Sequence, residues 1–126
     1  MSDYERLAAE KYLLLTTFRK SGTPVPTPVW AAGNGGELLV WSDRSAGKVK
    51  RIRNNPEVTV QACDFRGGKT HGPVVSGRAR LLDDAGTERA RTVIAREYGI
   101  VGQVTMFFSR MRGRSKTIGL AITLGD

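Results

Sequence analysis

Residues 41–56 carry a concentration of basic side chains whose natural partner is an anion. The cations are Arg44, Lys48, Lys50, Arg51 and Arg53, with Asp43 as the one acid among them. The order of residues indicates a strand end, a short connection and then a helix. A helix start attracts anions because its first backbone N–H groups are unpaired and its dipole is positive there. The sequence therefore predicts a phosphate site at this helix start.

The residues at the predicted helix start suit such a site. Ser45 is expected to be the N-cap, because its hydroxyl can accept hydrogen bonds from the first-turn N–H groups. Gly47 lets a ligand approach the backbone because it has no Cβ. A nucleotide P-loop is excluded, since Ser42 stands where its first glycine is needed and Val49 follows the Gly-Lys pair. A phosphate cradle of another kind is expected.

The same helix separates a cationic stripe from an apolar stripe. Lys48 and Arg51 are three residues apart and share one face. Val49 and Ile52 form the face that is expected to be buried. The helix should end at Asn55-Pro56, because the residue before a proline avoids helical dihedrals. A solvated basic helix would show the same spacing, so plain exposure is the alternative interpretation of these charges.

Length and charge point to one basic domain with an anionic partner. A chain of 126 residues suits a single domain over residues 1–126, and its net charge is +8. Nucleic acid is one candidate partner, but the aromatic residues do not interleave with the charges as a single-strand platform requires. A phosphorylated small molecule explains the charge equally well and also uses the helix start. We expect a small-molecule partner and no nucleic acid.

The one cysteine, Cys63, excludes an internal disulfide and a cysteine-cluster metal site. A reducing cytoplasm is the expected location, because the N-terminal residues lack the pattern of a secretion signal. No apolar stretch is long enough to span a membrane, so no membrane association is expected. No spacing of ligands typical of a metal site is found either.

Turn signals and alternating patterns predict a mainly β domain. Strands are expected at 12–18, 24–32, 37–42, 57–63, 71–82 and 117–124, and helices at 3–10, 45–55, 83–98 and 100–111. Prolines at 24, 26 and 28 share one parity, as an edge strand tolerates. Residues 33–36 contain Asn-Gly, a strong hairpin signal. Six short strands with inserted helices predict a small, mostly antiparallel barrel.

This order of features resembles the split β-barrel superfamily of pyridoxamine-phosphate oxidase-like flavoproteins. Within it, the sequence is most similar to the branch that uses the deazaflavin coenzyme F420. The likeness covers most of residues 11–82, and its motifs are Tyr12-Leu-Leu-Leu-Thr-Thr, Gly22-Thr-Pro-Val-Pro-Thr-Pro-Val-Trp30, Ser45-Ala-Gly-Lys-Val-Lys-Arg-Ile-Arg-Asn-Asn-Pro56, Val58-Thr-Val-Gln-Ala-Cys-Asp64 and Gly77-Arg-Ala. The resemblance implies a six-stranded antiparallel split β-barrel.

The resemblance also implies positions for the cofactor. The residues that match the cofactor-phosphate motif are Ser45, Ala46, Gly47, Lys48 and Arg51. The residues that match the strand beside the ring system are Thr27, Pro28, Val29 and Trp30, and those that match the strand end near the phosphate are Trp41 and Ser42. A homodimer with both ring pockets at the subunit interface is implied as well. Lys50, Arg53 or the loop 112–116 would then meet the carboxylates of the coenzyme's polyglutamate tail.

The implied activity is hydride transfer between coenzyme F420 and an organic substrate. An FMN-dependent enzyme on the same scaffold and a non-catalytic cofactor binder are the alternatives, with a nucleic-acid module as a further rival. No catalytic residue is assigned, because the cofactor carries the chemistry in such enzymes. His71 is interpreted as a surface or interface residue rather than a donor to substrate, Asp83-Asp84 as helix-start carboxylates, and Tyr98 as a packing residue.

Overall fold

Six antiparallel strands form a closed barrel in the computed structural model, which describes residues 2–99 and 116–125. The strands are β1 (Tyr12–Phe18), β2 (Pro24–Asn34), β3 (Glu37–Asp43), β4 (Glu57–Cys63), β5 (Thr70–Leu81) and β6 (Thr117–Leu124). The helices are α1 (Asp3–Ala8), α2 (Gly47–Asn54) and α3 (Asp84–Glu97). Around the barrel the order is β1-β2-β3-β6-β5-β4. The predicted six-stranded antiparallel barrel is confirmed.

Two further predictions fall on residues that are not described. The helix predicted over residues 100–111 lies outside the described part of the chain, and so does most of the basic loop 112–116. Of that loop only Lys116, directly before β6, is described.

Alternating side chains of the strands fill the barrel interior. On β1, Leu13 and Leu15 are buried while their neighbours are partly exposed, as expected for a strand with one inward face. Leu7 of α1 and Ile52 of α2 belong to the same buried cluster, so both helices complete the core. Thr17 continues the inward series of β1 and is fully buried. A buried hydroxyl needs a hydrogen-bond partner, which α2 supplies.

Helix α3 packs on the outside of β2, β3 and β6. The approach is close at Gly119, where an added Cβ would lie 3.1 Å from the Cβ of Ala90. Asp83 is the N-cap of α3, and its carboxylate accepts the Gly86 N–H at 2.8 Å. The prediction that Asp83 and Asp84 are helix-start carboxylates is confirmed. Within the described ranges, no helix has the length and apolar character needed to cross a bilayer.

Among the described strands, the proline-rich half of β2 has a neighbour on one side only. Residues 24–30 pair with β1, whereas pairing with β3 begins at Ala31. Pro24, Pro26 and Pro28 therefore lie where a missing N–H leaves no ladder bond broken. The edge-strand prediction is confirmed for this half of the strand.

The hairpin predicted between β2 and β3 is confirmed. Its two-residue turn consists of Gly35 and Gly36, with φ of 60° and 89°. Positive φ at both central residues matches the twist of the flanking strands, and glycine adopts it without steric cost. Asn34 is the last residue of β2 rather than part of the turn centre.

Candidate anion-binding site

Helix α2 begins without a side-chain cap. It starts at Gly47 with Ala46 as its N-cap, and no side chain of the described residues caps it. The prediction of Ser45 as N-cap is wrong, because the turn that closes with the Ala46 N–H on the Asp43 carbonyl at 3.1 Å places Ala46 at the cap position. Ser45 is exposed one residue earlier. The Val49 N–H donates to the Ala46 carbonyl at 3.1 Å, so within the described residues the first-turn donors left for an external acceptor are the N–H groups of Gly47 and Lys48.

The guanidinium of Arg51 lies against this helix start. Its Nε donates to the buried Oγ1 of Thr17 at 2.6 Å. A Cβ added at Gly47 would lie 2.7 Å from an Arg51 terminal nitrogen, Nη1. A residue with a Cβ at position 47 would therefore force the guanidinium to shift, a reason for glycine that the sequence did not reveal. The result is a fixed fork of donors beside unpaired N–H groups, which suits a phosphate.

Lys48 is a half-buried ammonium with no hydrogen-bond or ion-pair partner among the described residues. Burial lowers the pKa of Lys48 below its usual value; Asp43 raises the pKa and the Arg51 charge lowers it. Burial disfavours the charged form because it removes water from the ammonium. An anion in contact with Lys48 would offset that cost. The confirmed burial of Val49 and Ile52 holds the opposite face of the helix in the core.

The connection from β3 to α2 is fixed by main-chain bonds. The Arg44 N–H donates to the Lys116 carbonyl at 2.8 Å, next to the start of β6. The Ser42 hydroxyl donates to the Asp43 carbonyl at 3.1 Å, and Ser42 is buried. Residues 44–46 therefore leave the barrel in a defined direction and present the start of α2. Ser42 directly precedes the last residue of β3, and its predicted place beside a phosphate stays a prediction.

Trp30 and Trp41 both pack on an outer apolar cluster under α3. The buried members of this cluster are Ala32 and Ile94, and Tyr98 packs on it as well. The places of Trp30 beside the ring and of Trp41 near the phosphate stay predictions. The Trp30 and Tyr98 rings stack with centroids 4.4 Å apart and planes 6° apart. One face of the Trp30 indole is therefore already covered by protein, and packing is its observed role.

Tyr98 is more than a packing residue. Its hydroxyl accepts the Ala31 N–H at 3.0 Å and donates to the Lys11 carbonyl. Burial raises the pKa of Tyr98 to about 12, while the Ala31 backbone bond lowers it. A phenol with this pKa, bonded to backbone on both sides, supports Trp30 and stays neutral at physiological pH.

The other residues predicted beside the ring face in different directions. Val29 points into the barrel and is 8% exposed, whereas Pro28 is exposed opposite Leu14 of β1. Thr27 is half-buried opposite Leu15. Only the outward residues and the strand backbone are therefore free to meet a planar ring, and the ring position stays a prediction.

His71 and Cys63 lie outside this group. The His71 Nε2 is 2.8 Å from a Glu10 carboxylate oxygen on the surface. Cys63 is buried, and burial raises the pKa of its thiol, as do Asp64 and Glu10. A thiol with a raised pKa is a poor nucleophile. In residues 2–99 and 116–125 no group of three or more His, Cys, Asp or Glu side chains could hold a metal ion.

An open cleft of about 620 Å³ lies elsewhere, at the start of α3. Its Arg80 donates two hydrogen bonds of 3.1 Å to Glu37, so this cation is already neutralised. The start of α2 offers the unpaired N–H groups of Gly47 and Lys48 and the half-buried Lys48 ammonium. We therefore place the anion site at α2, on charge and hydrogen bonding rather than on volume.

Thr17 is the site residue that the sequence reasoning missed. It was visible only as a polar residue at an inward position of β1, after Leu13 and Leu15. A polar side chain at an inward-facing strand position indicates a hydrogen bond to a group that packs against the barrel. The partner, Arg51, is 34 residues away in the chain and could not be inferred from the local pattern.

Comparison with known proteins gives a family match. The family model described as pyridoxamine 5′-phosphate oxidase matches residues 4–124 of this chain. No curated protein matches it.

Solved structures with the same fold have diverse descriptions. A FAD-binding protein from Mesorhizobium loti is 21% identical, with a TM-score of 0.68, over 100% of this chain and 90% of its own. An F420 reductase is 17% identical, with a TM-score of 0.62, over 100% and 96%. The heme storage protein HutZ from Vibrio cholerae is 11% identical, with a TM-score of 0.72, over 98% and 87%. At these identities the likeness concerns the fold.

Replacing Gly47 by alanine tests the contact with Arg51. We expect Gly47→Ala to weaken binding of inorganic phosphate by about three- to tenfold, or about 0.7–1.4 kcal/mol. The added Cβ displaces the guanidinium, while alanine itself favours the helix, so the melting temperature should not fall. Calorimetric titration and thermal melting measure the two effects. Gly68→Ala is the control, since nothing lies within 4 Å of an added Cβ there; equal phosphate affinities for both variants would contradict the contact.

The pH dependence of phosphate binding tests Lys48. Because its pKa is lowered, Lys48 loses its proton at a lower pH than an ordinary lysine. Wild-type affinity should therefore begin to decline at a pH below the usual titration range of lysine, while Lys48→Arg keeps its affinity, since arginine stays protonated there. Titrations across this range measure the ratio of the two dissociation constants. The exposed Lys50→Arg serves as control, and identical pH profiles for all three proteins would refute the role of Lys48.

Proposed function

Since the chain belongs to the pyridoxamine 5′-phosphate oxidase family, in which flavin- or deazaflavin-binding oxidoreductases are common, we propose that it is an oxidoreductase that uses coenzyme F420. The observation that carries the proposal is the uncapped start of α2, with the Arg51 guanidinium fixed by Thr17 and Lys48 left without a partner. This arrangement has the donors and the charge that a phosphate ester needs.

The phosphate would be held from three directions. The N–H groups of the first α2 turn donate along the helix axis, Arg51 contributes a planar fork, and Lys48 contributes a point charge. Lys50 and Arg53 are exposed on the same helix. These two cations are free to meet the carboxylates of a glutamate tail, which favours F420 over FMN as the ligand.

When bound, the coenzyme supplies the hydride chemistry. The residues of this chain bind and orient it. Residues 24–30 of β2 pair with β1 alone among the described strands, and the ring would lie along the other edge of this segment. Trp30 is held rigid by Tyr98 and thereby limits where a ring can lie. No proton donor is assigned.

We also infer a homodimer. α3 covers the outside of β2, β3 and β6. Phe65 is 63% exposed and Val74 57% exposed, although large apolar side chains are normally covered. Pro26 and Pro28 add further exposed apolar surface on β2. A second copy would bury this surface and bring the two cofactor sites to one interface.

The single buried thiol of Cys63 suits a reducing, cytoplasmic location.

A ligand panel tests the cofactor assignment. We expect the wild type to bind F420 more tightly than FMN, FAD or haem, and Lys48→Ala with Arg51→Ala to weaken F420 binding by more than about tenfold. Each charge-assisted hydrogen bond contributes about 1.5–3 kcal/mol, and 1.4 kcal/mol is a factor of ten. Fluorescence titration measures the affinities. A deazaflavin without the phosphate should bind the wild type and the double variant equally.

The control for this panel is Arg89→Ala with Arg96→Ala, which removes two exposed charges from α3. Its F420 affinity should stay within about twofold of wild type, because these charges are remote and screened. Unchanged F420 affinity in the Lys48/Arg51 variant would refute the site. Purification with tightly bound, bleachable yellow flavin would favour the FMN alternative. Tight binding without turnover across a substrate panel would favour a non-catalytic binder.

Sedimentation tests the dimer. We expect the wild type to sediment as a dimer and Val74→Asp to dissociate, because burying an unpaired carboxylate in an apolar interface is unfavourable. Thr92→Asp places the same carboxylate on the exposed side of α3 and should remain dimeric. A monomeric wild type at micromolar concentration, or a dimeric Val74→Asp, would contradict this interface.

A further inference from the structure

Arg91 is a buried cation in the middle of α3. It is 1% exposed, its Nη1 donates to the Glu88 carboxylate, and its Nη2 donates to Thr117 Oγ1 at 2.5 Å. Its Nε has no hydrogen-bond partner within the described residues. Burying a guanidinium is costly, so its exact contacts decide what it does for the molecule.

Thr117 connects this arginine to the loop that leads into α2. Thr117 begins β6 and pairs with Asp43, the last residue of β3. Its carbonyl accepts a hydrogen bond from the Arg44 side chain at 3.3 Å, and the preceding Lys116 carbonyl accepts from the Arg44 N–H at 2.8 Å. Arg44 is the first residue of the connection from β3 to α2. The contacts therefore run from α3 through the start of β6 to residues 44–46.

A second bond from α3 lies two residues further along β6. The Gly119 N–H donates to Thr87 Oγ1 at 2.9 Å, one turn before Arg91 on the same helix. Helix α3 thus holds the beginning of β6 at two points. Of these two bonds, the one from Arg91 ends on Thr117, the residue whose carbonyl accepts the Arg44 side chain.

We propose that Arg91 is a positioning residue for the anion site. By fixing Thr117 it sets the path of residues 44–46, and this path sets where the first-turn N–H groups of α2 point. This inference rests on the proposed phosphate site at α2. Arg91 itself does not touch the anion, and it acts through Thr117 and Arg44.

Thr117→Val is the sharpest test, because it removes the hydroxyl and keeps the shape and the strand preference of the side chain. We expect inorganic phosphate to bind about three- to tenfold more weakly to Thr117→Val and to Arg91→Met. The double variant should be no weaker than the weaker single one, since both remove the same bond. Thr117→Ser keeps a hydroxyl and should bind within about twofold of wild type.

Hydrogen exchange gives a readout that needs no ligand. Amides of residues 43–48 should exchange at least about fivefold faster in Thr117→Val, because the loop loses its fixed partner. Two controls separate positioning from general stability: Arg89→Met changes an exposed arginine on the same helix, and Leu7→Ala weakens the core under α1. Assayed well below their melting temperatures, both should keep the phosphate affinity and the exchange rates of residues 43–48.

The outcomes are distinct. A lower melting temperature in Thr117→Val with unchanged affinity and unchanged exchange at residues 43–48 would overturn the proposal, leaving Arg91 as a support for α3 only. Equal loss of affinity in Leu7→Ala would overturn it as well. If Arg91→Met does not fold, the valine and serine variants of Thr117 decide. Failure of the phosphate site itself gives a different result. In that case Lys48→Ala with Arg51→Ala binds phosphate as tightly as the wild type, while the exchange rates of residues 43–48 still report on Arg91.

Discussion

One hydrogen bond joins the barrel interior to the start of α2: the donation from Arg51 Nε to the buried hydroxyl of Thr17. Arg51 has a long side chain with many rotamers, and fixing it costs conformational entropy. Anchoring the Nε to a core residue fixes the guanidinium while its other nitrogens stay available. Gly47 completes the arrangement, since a Cβ there would lie 2.7 Å from Nη1 and force the guanidinium to shift. The site thus depends on a polar residue inside an otherwise apolar interior.

Two requirements meet at this point in the molecule. The core needs Val49 and Ile52 on the inner face of α2, and the site needs Lys48 and Arg51 on the outer face. The 3.6-residue period lets eight residues satisfy both. The half-buried position of Lys48 follows from the same geometry, because a residue next to the buried stripe cannot be fully solvated. Burial disfavours the charge of Lys48 more than Asp43 favours it, and an anion at this position would offset the difference.

Much of this was predictable because the local patterns are strong. The strand-forming residues of β1, the Asn-Gly signal before β3 and the proline parity of β2 each depend on near neighbours in the chain, and the structure confirms all three. The stop of α2 at Asn55-Pro56 is local too. The N-cap was misplaced by one residue, because a four-residue turn from Asp43 to Ala46 closes directly before the helix and makes Ala46 the cap. The packing of Trp30 and Trp41 under α3 was not predictable, since both contacts join strands to a helix far along the chain.

The prolines of β2 have one more consequence, for the behaviour of the folded protein in a crowded solution. Along residues 24–30 no strand of the described chain lies on the side opposite β1. In an antiparallel ladder, residues of one parity direct their N–H groups to that open side, and here three such positions are proline. An incoming strand from another molecule would find carbonyl oxygens but few donors, so it could not build a regular ladder. The barrel can thus keep an open seam beside its candidate ligand surface without becoming a template for aggregation.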